Sequence, residues 1–219
     1  MILYKFETTK TATMKNFLIL LFALISFSAS SQVSIGLTGG FLIPASGFDK
    51  DFKPNSGYKT GLEVLIGVSE KVTIRTGLEL NSFTFKQETR FTNKDGGVAG
   101  IVNIYNNSKY LGIPIALRIG GNKKTVNPFF DFGVTSLIKL SDNTRYSKSG
   151  ILNNGVFMEG ESFMLSPMAG LGLLIKPSDH LYLSILANYN YQIQPMYKFY
   201  KGDLRYNSIA LNVSIGYKF

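Results

Sequence analysis

The chain has 219 residues, with 23 Lys and Arg against 14 Asp and Glu, one histidine and no cysteine. Without cysteine it has no disulfide, no thiolate metal site and no lipidated N-terminal cysteine, and its length suits a single domain. The basic excess suits an acidic partner such as a phosphate-bearing lipid surface or nucleic acid, and the second falls away if the chain is exported.

Export is read from the start of the chain. Residues 1–13 carry no pattern, so Met1 and Met14 are both possible starts. Lys15 precedes the apolar run from Phe17 to Phe27, and small residues follow from Ser28 to Ser31. Eleven apolar residues are too few to span ~30 Å of hydrocarbon as a helix. A basic start, a short apolar run and Ala29 and Ser31 at small-x-small spacing are the layout of a secretory signal peptide. Cleavage is expected before Gln32, dividing the chain into a leader (1–31) and a mature domain (32–219). The leader takes three lysines and one glutamate with it, leaving 188 residues and a net charge of +7.

Beyond the leader no stretch approaches the ~20 apolar residues of a spanning helix. Period-two alternation recurs instead, the mark of strands with one apolar and one polar face. The predicted strands are Val33–Ile43, Tyr58–Val68, Val72–Phe85, Tyr105–Ile119, Phe129–Leu140, Phe163–Ile175, Leu181–Tyr191 and Tyr206–Phe219. The connections alternate. Short ones fall at 69–71, 120–128 and 176–180, and long polar ones at 44–57, 86–104, 141–162 and 192–205.

Short turns on one side and long loops on the other predict an all-β, eight-stranded antiparallel up-and-down transmembrane barrel in the outer membrane. The aliphatic phase, for example Leu62, Val64 and Ile66 or Leu111, Ile113, Ile115 and Leu117, faces lipid. The opposite phase carries Glu63, Arg75, Glu79, Arg118, Asp131, Asn188 and Asn212 among glycines. A soluble barrel of lipocalin type would invert these faces, but the charged phase is too sparse and glycine-rich for a good solvent surface. The last strand ends on Tyr217 and Phe219, which suits a terminal strand read by the barrel-assembly machinery.

The chemistry of the polar phase is limited. Glu63 is placed opposite Gly77 and diagonal to both Arg75 and Glu79, and Arg118 and Asp131 are similarly related across the next turn. These charges are either an ion path or a static network that fills the lumen. The second is favoured, because buried charges must be paired and eight strands leave little interior. The single histidine, His180, falls in a short turn, and neither a catalytic constellation nor metal-ligand spacing is present. No enzymatic activity, cofactor or metal is expected. In the last long loop Tyr197, Phe199, Tyr200 and Tyr206 alternate with Lys198, Lys201 and Arg205. That mixture suits contacts with lipid phosphates or an envelope protein, or an aromatic girdle with solvated lysines.

Strand four reads Tyr110-Leu111-Gly112-Ile113-Pro114-Ile115-Ala116-Leu117-Arg118. It resembles the Y-L-x-I-P-x-x-L-K/R segment of the PorT-like outer-membrane β-barrel family of Bacteroidota. The likeness extends to Pro128–Gly133, to Ala169–Gly172 and to Gly216–Phe219. It implies an eight-stranded barrel of OmpA-like or OmpX-like architecture. Most members of that family have no assigned activity, and the eponymous one is linked to secretion of proteins across the outer membrane. Gly112 stands where the family commonly has an acidic residue, so an ion pair using that carboxylate would be missing. Pro114, inside a central strand, predicts a bulge or a local break in pairing. The expected role is structural, accessory or partner-binding through the loops, with a narrow channel for small or hydrophobic molecules as the alternative.

Overall fold

A computed structural model of the protein describes residues 32–46, 52–92, 95–96, 98–120, 125–146, 160–199 and 202–219. The leader expected at 1–31 lies outside the described residues, as do Tyr200 and Lys201. Among the described residues every regular element is a strand. They are β1 Val33–Ser46, β2 Phe52–Gly67, β3 Val72–Thr92, β4 Val98–Gly120, β5 Val126–Tyr146, β6 Phe163–Ile175, β7 Leu181–Asn190, β8 Tyr197–Phe199, β9 Gly202–Leu204 and β10 Asn207–Lys218.

Eight of them close into one antiparallel barrel in the order β1-β10-β7-β6-β5-β4-β3-β2, and β8 and β9 form a separate hairpin. Closure is made by β1 against β10, from Ser34 opposite Lys218 to Ser46 opposite Asn207. The Phe219 N–H also donates to the Val33 carbonyl at 3.0 Å. A closed ladder is what lets strands cross hydrocarbon, because no edge is left to be hydrogen-bonded by absent water.

Alternation sets the two faces. The outward phase is aliphatic and open, with Leu37, Phe41, Leu171 and Ile215 59–68% exposed. On β4 this phase runs from Ile119 to Leu111. Those nine residues, tilted about 40°, cover roughly the ~25 Å apolar band of an outer-membrane barrel. The inward phase is buried and largely polar.

Three sequence expectations need correction. The predicted loop 86–104 is mostly strand: β3 continues to Thr92 and β4 begins at Val98. Likewise β5 continues to Tyr146, and β2 begins at Phe52 within the predicted loop 44–57. Apolar alternation fades where the outer face leaves lipid, but the hydrogen-bonded ladder does not, so β3, β4 and β5 rise well past the membrane. The third concerns 192–205. Its described residues, 192–199 and 202–205, are not a free loop but fold back into the barrel mouth, where β8 pairs with β9.

The proline expectation resolves as a break. Pairing of β3 with β4 holds at Thr76–Ile115 and Glu79–Gly112 but lapses between them, at Gly77-Leu78 and Ile113-Pro114, with register kept on both sides. Pro114 still faces Thr135 on β5. Gly77 sits in this gap at φ +153°, where an added Cβ would collide with the Leu62 carbonyl oxygen.

Candidate functional site: an occluded lumen and an aromatic plug

The inward phase of β2 to β5 brings six charged side chains together. Asp131 is the hub. Its Oδ1 accepts from Arg118 Nε at 2.9 Å, and its Oδ2 from Arg75 Nε at 2.9 Å and Arg118 Nη2 at 3.1 Å. Arg118 is directly opposite Asp131 in the β4–β5 register, which accounts for the two-bond geometry. Arg75 pairs further with Glu79 at 3.5 Å, and Arg118 with Glu63 at 3.5 Å. The Arg118 guanidinium also lies 3.9 Å from the Phe129 ring centre, and Tyr182 donates to Glu63 at 3.2 Å.

The sixth member, Lys59, was missed by sequence reasoning. Its Nζ lies 3.3 Å from Glu79. The signal was present, because Lys59 shares the phase of Gly61 and Glu63. So was a charge argument: the five residues singled out from sequence sum to −1, and burial in so narrow a space favours a balanced set. With Lys59 there are three cations and three anions, every one of them buried. Asn188 continues the polar layer, accepting from Asn212 and donating to Asn190, each at 2.7 Å.

Above this layer the lumen turns apolar, which sequence reasoning did not foresee. Leu42, Phe83, Phe85, Tyr110, Leu137 and Met164 line a cup in the outer part of the barrel, and Met196, Tyr197, Leu204 and Tyr206 fill it. Phe83 meets Tyr206 edge-on at 4.9 Å, and Phe85 meets Tyr197 at 5.2 Å. The plug is also pinned by polar bonds. Tyr206 donates to the Asn55 carbonyl at 2.6 Å, and its N–H donates to Gln192 Oε1 at 2.7 Å. The Tyr197 hydroxyl shares a 2.6 Å bond with Ser108 and reaches Asp142 at 3.2 Å. Burial, with Asp142 beside it, holds the Tyr197 phenol above its ordinary range, so it stays a protonated donor.

Tyr197 and Tyr206 are only 2% and 1% exposed. The reading of both as surface contacts or girdle residues is therefore corrected. An aromatic–lysine alternation looks the same whether its rings meet lipid or the barrel's own cup. Arg205 is partly exposed and donates to the Tyr191 hydroxyl at 3.2 Å. Lys198 and Phe199 lie in β8, and their side chains are not described.

Between charge layer and plug is a cavity of about 20 Å³, bordered by Lys59, Glu79, Phe83, Gln192 and Tyr206. That is room for about one water. A shallow vestibule of about 50 Å³ opens at the opposite end, beside Tyr182, Lys176 and Lys218. His180 stands at that end, stacked on Tyr217 with ring centres 5.5 Å apart, and its Nδ1 is 3.2 Å from the Lys218 carbonyl. Among the described residues no group of three or more His, Cys, Asp or Glu is arranged to hold a metal ion.

A closed barrel with an aliphatic exterior and a polar, packed interior defines the class of small outer-membrane β-barrels. The chain belongs to the outer membrane protein beta-barrel domain family, whose model matches residues 17–219. It is a protein of the outer membrane. No curated protein matches it. Among solved structures it is similar to the outer membrane protein OprG from Pseudomonas aeruginosa, at 15% identity over 86% of this chain and 96% of that one, with a TM-score of 0.48. It is also similar to the E. coli outer membrane protein W, at 12% identity over 86% and 98%, with a TM-score of 0.42. The Yersinia pestis attachment invasion locus protein Ail is 14% identical over 86% and 97%, with a TM-score of 0.35.

Proposed function

We propose that the protein is a non-conducting, non-catalytic barrel whose role is structural, accessory or partner-binding, carried by its extracellular surface. One observation carries this reading. Two independent layers, a neutral charge network and an aromatic plug, occupy the lumen in series, and only a one-water cavity separates them. The partner is another envelope protein, and the PorT-like residues of β4 support a connection with protein secretion in Bacteroidota.

Purified protein in a planar bilayer is expected to show no steady conductance. A stable, ion-selective channel in the wild type would overturn the closed-lumen reading. A second reading, a narrow path for small or hydrophobic molecules, is favoured by the apolar cup beneath the plug and would require 192–206 to leave it.

Two expectations about export and assembly accompany this reading. Mass analysis of outer-membrane material is expected to find the mature chain starting at Gln32, and a retained 14–31 segment would refute the signal peptide. Removing Tyr217–Phe219 is expected to cut the yield of folded, heat-modifiable barrel sharply. That deletion strips the pairs at Ser34 and Ile35 and the Phe219 bond to Val33 from the closing seam. Each backbone group left unsatisfied in lipid costs several kcal/mol. Wild-type levels of folded protein would sink this prediction.

A further inference from the structure

The outward face of the rising sheet carries a feature that the lumen does not explain. Register places Lys53 opposite Lys86, Lys86 opposite Tyr105, and Tyr105 opposite Arg145. These four form one continuous row across β2, β3, β4 and β5, on the phase opposite the buried Phe85, Ile104 and Asn106. Lys86 Nζ lies 5.8 Å from the centre of the Tyr105 ring. Lys109 belongs to the same outward phase of β4, four residues nearer the membrane, about 13 Å at ~3.3 Å per residue.

Two lysines directly opposite on one face repel each other, and like pairs of this kind are disfavoured in sheets. Among the described residues around this row, one outward carboxylate is found, Glu88, and it stands one row farther from the membrane than Lys86. The height of the cluster is equally informative. Leu111 ends the apolar band on β4, and Lys109 is the next outward residue, so the cations begin where hydrocarbon gives way to headgroups.

We propose that Lys53, Lys86, Lys109 and Arg145, with Tyr105 among them, form a binding site for the phosphate groups of an outer-leaflet glycolipid of the lipopolysaccharide type. The occupant is a lipid because the site is continuous with the lipid-facing surface. It is a glycolipid with more than one phosphate because the cations sit in two tiers about 13 Å apart, farther than one phosphodiester headgroup reaches. Tyr105, 40% exposed between the cations, offers a ring to a sugar face. The inference rests on the outer-membrane location and not on the closed lumen, so a conducting barrel would leave it standing. It also moves the lipid contact from the 192–205 segment to the opposite flank of the barrel.

The test compares three proteins in phosphatidylcholine nanodiscs by native mass spectrometry. They are the wild type, a face variant (Lys53→Gln, Lys86→Gln, Lys109→Gln and Arg145→Gln) and a loop variant (Lys198→Gln and Lys201→Gln). Each is offered lipopolysaccharide, the same glycolipid stripped of its phosphates, and phosphatidylglycerol. Wild type and loop variant are expected to prefer the phosphorylated glycolipid about tenfold or more, and the face variant to lose that preference while staying heat-modifiable. If the face variant does not fold, Lys53→Gln and Arg145→Gln are tested singly, each expected to weaken binding about fivefold. Equal retention of stripped and phosphorylated glycolipid, equal binding of phosphatidylglycerol, unweakened binding in the single variants, or a preference that survives in the face variant would overturn the proposal.

Discussion

Replacing Asp131 with alanine is expected to destabilise the barrel by about 3–5 kcal/mol, the usual cost of removing one partner from a buried ion pair. The physical reason is the geometry around the hub. Arg75 and Arg118 both direct Nε at this carboxylate at 2.9 Å, and neither side chain reaches water. Without Asp131 the network is left with three cations against two anions, with two guanidiniums deprived of their shortest bonds. Asp131→Asn is expected to fall between wild type and alanine, since an amide oxygen still accepts but carries no charge. Chemical unfolding in detergent micelles, followed by the heat-modifiable gel shift, measures both. As an internal standard, Lys53→Gln on the outer rim should stay within about 0.5 kcal/mol of wild type. An Asp131→Ala barrel as stable as that standard would mean the network is not the structural centre of the lumen.

Tyr206→Ala should rank next, at about 3–5 kcal/mol for the loss of a large buried aromatic side chain. The ring packs edge-on against Phe83, and its hydroxyl holds the Asn55 carbonyl across the mouth. Tyr206→Phe keeps the ring and loses one hydrogen bond, so about 1 kcal/mol is expected. Excising 193–205 in favour of a short glycine-serine turn carries a sharper consequence. The apolar cup should then bind a fluorescent hydrophobic probe, while bilayers should still show no conductance, because the charge layer below is intact. Conductance after excision alone would show that the plug is the only barrier. No probe binding would mean the cup collapses when emptied.

The barrel was legible because its exterior is written in the most readable signal a strand has. Leu111, Ile113, Ile115 and Leu117 alternate with Gly112, Pro114, Ala116 and Arg118, and alternate short and long connections fix an up-and-down order. The charged members of the inward phase were readable for the same reason. Their pairing was only partly so: register from a short turn predicts that Glu63 faces Gly77, as it does. It does not predict that Arg75 crosses to Asp131 two strands away, because that contact depends on how the closed barrel curves. The inward position of Lys59 was legible as well, because it shares the phase of Gly61 and the buried Glu63.

What the amino-acid sequence determined by itself is the set of local choices: which residues form strands, which face meets lipid, and which strands are joined by tight turns. These follow from period-two alternation and turn chemistry, which act within a few residues. Only the tertiary structure decided how far β3 to β5 rise beyond the membrane, because a ladder between polar strands leaves no hydropathy trace. Only it decided that Tyr197 and Tyr206 return into the mouth, where they meet Phe85 and Phe83 from strands more than a hundred residues earlier. The same holds for the row from Lys53 through Lys86 and Tyr105 to Arg145. Four residues scattered between positions 53 and 145 become neighbours only when three registers are fixed at once, and a register is a property of paired strands rather than of any one segment.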